Sequence, residues 1–311
     1  MRPLLRRRLL AALFCLLPLP ALAAPQAYVS AWNTLYRLDL ATGQATPVGT
    51  GIGFNDVEGL AFAPDGTLYG VADGTAGSGS ASTDFLIRID TATGTGTLVG
   101  VMSALQGLGP NGQLDYGLSF TCDGRLWASS DTTGGLWQID PIDASARAVG
   151  NTGAPLTALG GRGNLLFGVG VQNGFGDRNQ QALYRLDPAT AIATRLGSLL
   201  IDETLSSGGA DFDASGTLWA TLDSQPPDVN RATRLARIDT VTGRAEVIAS
   251  ISGIAENVSV RGMAIAPPAG CTGGGGLGTP IASVPGPNAP MLLLLGIVAA
   301  LAGALRMRRT A

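Results

Sequence analysis

The sequence predicts an all-β fold, specifically a five-bladed β-propeller. Three observations predict it. Two short half-units recur with a period near 50 residues, each copy is bounded by turn residues, and the incomplete copies at the two ends of the repeat region complement each other. Repeats of this length, each built of short strands and tight turns, are typical of propeller blades.

The first half-unit is a strand that ends in an aspartate and leads into a Thr-Gly turn. It reads Leu35-Tyr36-Arg37-Leu38-Asp39, with the turn at Thr42-Gly43. Four further copies end in aspartates that are 51, 50, 47 and 52 residues apart, at Asp90, Asp140, Asp187 and Asp239. Because nearly every blade carries this aspartate, we interpret it as a structural residue whose carboxylate caps the turn.

The second half-unit is a hairpin. It reads Gly59 to Phe62, a turn at Pro64-Asp65-Gly66, and a second strand from Thr67. It recurs at 117–127, 158–167 and 209–219, whereas 262–265 supplies only its first strand. Alternating or β-rich runs bounded by Gly, Asp and Pro indicate strands joined by hairpins.

The two ends of the repeat region complete one blade. Residues 27–49 supply strands B, C and D without an A strand, and residues 262–266 supply an A strand alone. Pairing them closes the ring and removes an open sheet edge. The alternative is a six-bladed propeller with a degenerate blade in a long loop.

The composition excludes several classes of chemistry. The 311 residues include 45 glycines but no histidine, and all 20 basic residues are arginines. Histidine bases, histidine metal ligands and Schiff-base lysines are therefore absent from the sequence. Between the two ends, 13 arginines stand against 23 acidic residues, a net charge of −10 that disfavours nucleic-acid binding.

The N-terminus predicts a signal peptide over residues 1–23. Arg2 and Arg6–Arg8 form a basic region, Leu9–Leu19 is apolar, and Ala21-Leu22-Ala23 fits a cleavage site. The alternative is an uncleaved anchor.

The C-terminus predicts a short transmembrane helix. Residues 290–305 are apolar and are followed by Arg306, Arg308 and Arg309, which favour a cytoplasmic end. Sixteen helical residues span about 24 Å, which is short for a bilayer core of about 30 Å. We expect at least transient residence in the inner membrane.

The last 28 residues combine Val284-Pro285-Gly286-Pro287, the apolar segment and the arginine cluster. This order resembles the PEP-CTERM class of sorting tails, although Gly286 stands where that class has a glutamate. The resemblance implies an exosortase-type processing enzyme as partner, and a final place at the cell surface or outside a Gram-negative bacterium. A related variant tail and a plain membrane anchor are the alternatives.

These assignments divide the chain into four parts. We expect a signal peptide at 1–23, the propeller at 24–268, a Gly/Pro-rich linker at 269–283, and the sorting motif, helix and arginine cluster at 284–311. The linker composition is too rich in glycine and proline to build a core.

The two ends of the propeller differ in their connections. The A–B and C–D connections are tight turns on one end, which we call the tight-turn face. The B–C and D–A connections form the opposite end, the long-loop face, and are expected to be long and different in every blade. They are 73–84, 100–116, 170–181, 197–208 and 223–234. Variable loops on a rigid scaffold usually carry function, so we place the site there.

Polar residues just before the inner A strands are the candidate ligand-binding residues. They are Asp56, Glu58, Asp115, Tyr116 and Arg261. Grouped near one axis, three carboxylates and an arginine fit either a divalent cation, calcium in particular, or a sugar. The alternative is a Glu58–Arg261 ion pair between blades with solvated loop acids, in which case no cofactor binds.

Asp211, Asp213 and Ser215 resemble the start of a calcium loop. Position 12 is Leu222 instead of a bidentate glutamate, and the register places these residues in an A–B turn, so we interpret them as structural.

Two cysteines, Cys122 and Cys271, remain after removal of the signal peptide. Both fall at the tight-turn face, two blades apart, and an exported chain meets an oxidising compartment. A disulfide between them is one hypothesis, and pairing between molecules is the alternative.

The sequence favours a non-catalytic surface or matrix protein that binds polysaccharide or protein through the long-loop face. Whether it is an enzyme stays open. The alternative is a secreted glycoside hydrolase in which Asp56, Glu58 and Asp115 supply the acid and base. That reading rests on fold analogy alone.

Overall fold

A computed structural model describes residues 25–74, 84–105, 114–171, 181–224 and 231–271. These residues form five antiparallel sheets, four of four strands and one of five. The predicted all-β propeller of five blades is confirmed.

Each blade is a meander whose strands run from A, at the axis, to D, at the rim. Blade 1 consists of β21 (Gly262–Ala266), β1 (Gln26–Ala31), β2 (Thr34–Leu38) and β3 (Ala45–Val48). Blade 2 consists of β4 (Val57–Phe62), β5 (Leu68–Ala72), β6 (Phe85–Ile89) and β7 (Gly96–Val101). Blade 3 consists of β8 (Tyr116–Phe120), β9 (Leu126–Ser130), β10 (Gly135–Ile139) and β11 (Ala146–Asn151).

The last two blades follow the same plan. Blade 4 consists of β12 (Leu156–Arg162), β13 (Leu165–Gly170), β14 (Ala182–Leu186) and β15 (Ala193–Ser198). Blade 5 has its A strand split into β16 (Leu205–Ser207) and β17 (Ala210–Phe212), followed by β18 (Leu218–Ser224), β19 (Arg234–Ile238) and β20 (Ala245–Ser250). A short 3-10 turn at Ser103–Leu105 lies between blades 2 and 3.

Blade 1 closes the ring as predicted. β21 pairs antiparallel with β1, with Val29 opposite Met263 and Tyr28 opposite Ala264. The C-terminal strand therefore supplies the A strand that the N-terminal strands lack, and both β1 edges are paired.

Glycines let the inner strands approach closely. A Cβ on Gly262 of β21 would lie 2.2 Å from the carbonyl oxygen of Glu58, and one on Gly117 of β8 would lie 2.8 Å from the Cα of Ala158. Only glycine permits such backbone contact. The inner strands therefore fill the axis of the propeller where these glycines lie. They leave a cavity of about 10 Å³ between them.

The recurring arginine of strand C packs on an aromatic ring of strand B. The guanidinium carbons of Arg37, Arg88 and Arg237 lie 5.9, 5.5 and 4.8 Å from the ring centroids of Tyr28, Tyr69 and Trp219, respectively. These contacts are within cation–π range and explain why the arginine repeats.

The recurring aspartate caps the C–D turn as predicted. Asp39 Oδ1 accepts hydrogen bonds from the amides of Ala41 and Thr42, at 2.8 and 3.1 Å. The same cap forms at the other four positions: Asp90, Asp140, Asp187 and Asp239.

The segment resembling a calcium loop is an A–B turn, as the register predicted. Asp213 Oδ1 accepts from the amides of Ser215 and Thr217, and its Oδ2 accepts from the indole of Trp219 at 2.9 Å. Both oxygens are therefore engaged by protein donors.

The long-loop face is less uniform than expected. The B–C connection of blade 1 is only Trp32 and Asn33, and that of blade 3 spans 131–134, so the prediction of a long loop in every blade is wrong in these two. Tight turns suffice there because adjacent antiparallel strands need no more than two residues to connect. The middle parts of four of the five predicted loops lie outside the described residues.

The chain stays packed on the tight-turn face beyond residue 268. Ala269 is buried, and its carbonyl accepts a hydrogen bond from the amide of Gly163 in blade 4. Cys271 is disulfide-bonded to Cys122, with the two Cα atoms 5.1 Å apart. The segment thus joins the A–B turns of blades 3 and 4.

The predicted signal peptide and nearly all of the predicted linker lie outside the described residues. So do the sorting motif Val284–Pro287, the apolar segment and Arg306, Arg308 and Arg309. In the part of the chain that the structure describes, no helix has the length and apolar character needed to cross a bilayer.

Candidate functional site

Arg261 is the centre of a polar cluster at the long-loop face. It lies just before β21 of blade 1, and its Nη1 contacts Glu58 Oε1, Asp115 Oδ1 at 2.9 Å and Asp56 Oδ2 at 3.3 Å. Asp56 directly precedes β4, Glu58 is the second residue of β4, and Asp115 precedes β8. The structure therefore brings four of the proposed site residues into direct contact across three blades.

Glu58 is a buried anchor. Its side chain is 2% exposed, and its second oxygen accepts a hydrogen bond from the amide of Tyr116 at 3.0 Å. Burial raises the pKa of Glu58 well above its usual value, and Asp115 raises it further, while Arg261 opposes both. The alternative ion pair between Glu58 and Arg261 is present in the structure, but as one part of a larger cluster.

Arg261 remains cationic in this setting. Burial alone lowers its pKa, but the three carboxylates outweigh burial and raise the pKa above its already high value. The guanidinium is therefore charged at any pH at which the protein is folded. It offsets part of the negative charge of the three carboxylates.

Tyr116 serves the cluster from inside the core. It is 2% exposed and packs between blades 2 and 3, and its hydroxyl donates to Asp84 Oδ2 at 2.6 Å. The structure therefore places Tyr116 as a positioning residue for a carboxylate, away from the solvent side where a sugar would contact it.

Sequence reasoning missed three further carboxylates: Asp73, Asp84 and Asp131. Asp73 and Asp84 follow β5 and precede β6, at the two ends of the blade 2 B–C connection, and Asp131 follows β9 of blade 3. The amide of Asp73 donates to the carbonyl of Asn55 at 3.0 Å, which ties this loop to the D–A connection that carries Asp56. A loop that begins and ends with aspartate was the signal available in the sequence.

These carboxyl groups hold their protons more tightly than usual. Burial, followed by the charge of Asp84 and then of Asp56, raises the pKa of Asp73 to about 8. Burial first and Asp115 second raise the pKa of Asp131 to about 7. Burial also raises the pKa of Asp56 and of Asp84. The described part of the site is thus acidic and short of positive charge.

The cluster contains a group of oxygens with metal-like spacing. Asp56, Glu58 and Asp73 each offer one carboxylate oxygen, and these atoms all lie within 4.8 Å of one another. Hard carboxylate oxygens are the ligands that calcium and magnesium prefer.

Trp32 is an exposed aromatic residue on the same face as the cluster. It forms the blade 1 B–C turn with a positive φ of 57°, and its residue is 55% exposed. Its carbonyl accepts from the amide of Val57 at 2.8 Å, and the carbonyl of Asn33 accepts from the amide of Ile52 at 2.7 Å. The turn is thereby fixed to the same connection that carries Asp56. The sequence analysis did not single out Trp32.

Blade 5 carries a contrasting polar group on the same face. Asp223 Oδ1 accepts from Thr233 Oγ1 at 2.8 Å, and its Oδ2 accepts from Ser259 Oγ at 2.7 Å. Glu203 forms an ion pair with Arg234 at 2.6 Å. These two carboxylates have a protein donor for each oxygen, whereas Asp56, Asp73 and Asp84 each have one buried oxygen without such a donor.

No protein-family model matches this chain, and neither does any curated protein. A chain of the nidogen/laminin complex is similar with a TM-score of 0.48 at 11% identity, over 78% of this chain and 98% of that chain. Kuenenia stuttgartiensis hydrazine synthase gives 0.41 at 16%, over 65% and 51%, and puromycin hydrolase gives 0.36 at 16%, over 66% and 30%. This chain thus covers about half of the hydrazine synthase chain and under a third of the puromycin hydrolase chain.

Proposed function

We propose that this chain is an exported, non-catalytic propeller that binds an extracellular polysaccharide at its long-loop face. The observation that carries the proposal is Trp32, an exposed aromatic residue on a turn that backbone hydrogen bonds fix to the connection carrying Asp56. A flat aromatic surface with polar groups beside it suits the faces and hydroxyls of sugar rings. Tryptophan is also among the residues that most often dominate binding interfaces.

The carboxylates support binding over hydrolysis. A glycoside hydrolase needs an acid and a base on either side of the scissile bond, about 5 to 10 Å apart. Here Glu58 is buried, and one guanidinium contacts Asp56, Glu58 and Asp115 together. The arrangement resembles a structural anchor for the loops more than an open acid–base pair.

A glycan array with the full chain, in calcium and in EDTA, tests the proposal. We expect saturable binding that Trp32→Ala weakens at least tenfold. Val241→Ala is the matched control, because Val241 is an exposed apolar residue of a C–D turn on the tight-turn face. Binding that both variants retain, or no glycan binding at all, would contradict the proposal and leave a protein ligand as the next candidate. Release of reducing sugar would favour the hydrolase.

Export and sorting are a separate part of the proposal, supported by the signal-like N-terminus and the PEP-CTERM-like tail. We expect the extracellular form to begin at Ala24 and to lack the arginine cluster. Mass spectrometry of the protein from cell and medium fractions measures both ends. An intact chain confined to the inner membrane would contradict this part and support a plain anchor.

A further inference from the structure

Three buried carboxylate oxygens of blade 2 and its entry loop have no hydrogen-bond donor. Among the described residues they are Asp56 Oδ1, Asp73 Oδ1 and Asp84 Oδ1. The second oxygens of Asp56 and Asp84 are engaged by Arg261 and by the Tyr116 hydroxyl. Because buried acceptors normally have partners, three such oxygens in one place indicate a missing donor or cation.

Asp84 is the most deeply buried of the three residues. It is completely buried, so bulk water does not solvate it, and Tyr116 holds its Oδ2 at 2.6 Å. Its other oxygen has no donor from the rest of the protein, and its carboxyl group lies within hydrogen-bond distance of that of Asp73. A cation placed between the two carboxyl groups would contact both of them, and the tyrosine holds one of them in place.

We propose that a calcium ion binds at the long-loop face between Asp56, Glu58 and Asp73, with Asp84 next to Asp73. Calcium binds carboxylate oxygens at about 2.3–2.6 Å, so two ligands on opposite sides of the ion lie about 4.6–5.2 Å apart. The oxygens of Asp56, Glu58 and Asp73 lie within 4.8 Å of one another, so one ion can contact all three. The Glu58 oxygen would then be shared between the ion and its present donor, which is Arg261 for Oε1 and the Tyr116 amide for Oε2. An all-oxygen, carboxylate-rich donor set favours calcium over zinc, which takes nitrogen and sulfur.

Arg261 complements the ion instead of replacing it. Its Nη1 engages Asp56 through Oδ2, which leaves Oδ1 of the same carboxylate for the cation. The ion joins both ends of the blade 2 B–C loop to the connection carrying Asp56. That connection also fixes Trp32, so calcium would stabilise the surface that we propose for ligand binding.

Calcium titration of the EDTA-stripped full chain, followed by calorimetry, tests the proposal directly. We expect one ion per chain. Asp73→Asn and Asp84→Asn should each weaken the affinity at least tenfold, whereas Asp65→Asn, which alters an exposed carboxylate in an A–B turn, should leave it unchanged. Terbium provides a second readout, because an ion at this site should be sensitised by Tyr116 and lost from the Asp73→Asn protein.

Thermal unfolding separates ion binding from misfolding. Metal-free Asp73→Asn should be at least as stable as the metal-free parent, since the uncharged amide can still donate a hydrogen bond to Asp84, but calcium should no longer raise its midpoint. The absence of calcium binding by the parent up to millimolar concentration would overturn the proposal, as would binding that survives both substitutions. The ion is measured without a glycan, so failure of the polysaccharide proposal leaves this result unaffected.

Discussion

Aspartates behave in opposite ways at the two ends of the propeller. On the tight-turn face, Asp39, Asp90, Asp187 and Asp239 lie in solvent and accept backbone amides, which lower their pKa values. On the long-loop face, burial raises the pKa values of Asp56, Asp73, Asp84 and Asp131. At one end of the propeller an aspartate caps a turn in solvent, whereas at the other end an aspartate is buried with little positive charge nearby.

The difference arises from where backbone amides point. A C–D turn directs two or three amides at the aspartate that precedes it, so every copy satisfies its own carboxylate. The carboxylates of the long-loop face come from strand ends on different blades, and no local turn supplies amides to most of them. They depend on partners from elsewhere in the chain, such as Arg261, or from outside the protein.

Arg261→Met should produce the largest loss of stability, because it removes the cation shared by three carboxylates. Removing one partner of a buried ion pair costs about 3–5 kcal/mol, so we expect a decrease of that size in the free energy of unfolding. Urea denaturation at pH 7 in EDTA measures it. Arg147→Met, on an exposed β-hairpin, should change stability by less than about 0.5 kcal/mol. Equal effects of the two substitutions would contradict the role given to Arg261.

Asp213→Ala should have an intermediate effect. It removes the acceptor for two backbone amides and for the buried indole of Trp219, and hydrogen bonds to a charged group contribute about 1.5–3 kcal/mol. Asp39→Ala, which removes only an exposed cap of a C–D turn, should cost less than Asp213→Ala. The same urea titration compares them. A larger loss for Asp39→Ala would mean that turn caps, and not burial, set the energetics of this face.

The smallest effect should be a pH dependence of stability that arises from Asp211. This carboxyl lies in the inner strand β17, and its pKa is raised, unlike the pKa values of the aspartates that cap the C–D turns. Burial raises its pKa to about 7, although the amides of Ile265 and Phe212 oppose the shift. Because its raised pKa means that the folded state binds the proton more tightly than the unfolded chain, stability should fall as pH rises from about 4 through 7.

Thermal unfolding of Asp211→Asn across this pH range checks the expectation, since the variant should lose that decline. Asp239→Asn should act with the opposite sign, because its lowered pKa stabilises the fold above about pH 4 and that stabilisation is lost on acidification. An unchanged slope in Asp211→Asn would assign the pH dependence to another group.

The site was only partly predictable. Arg261, Asp56, Glu58 and Asp115 were identified because they precede inner strands, which converge at the axis of any propeller. Asp73, Asp84 and Trp32 belong to B–C connections, whose paths no repeat pattern describes. Tyr116 was expected to face a ligand, but the pattern of its strand could not show that its ring packs between blades.

The sequence alone determined the number of blades, the closure of the ring and the capped turns, because each depends on short-range patterns repeated around one axis. It also supplied the expectations of export and sorting, which concern segments outside the described residues. Only the tertiary structure decided which carboxylates meet and which lack donors, since those distances join residues up to about 200 positions apart. It likewise joined Cys122 to Cys271 across 149 residues, because the chain crosses the tight-turn face after its last strand.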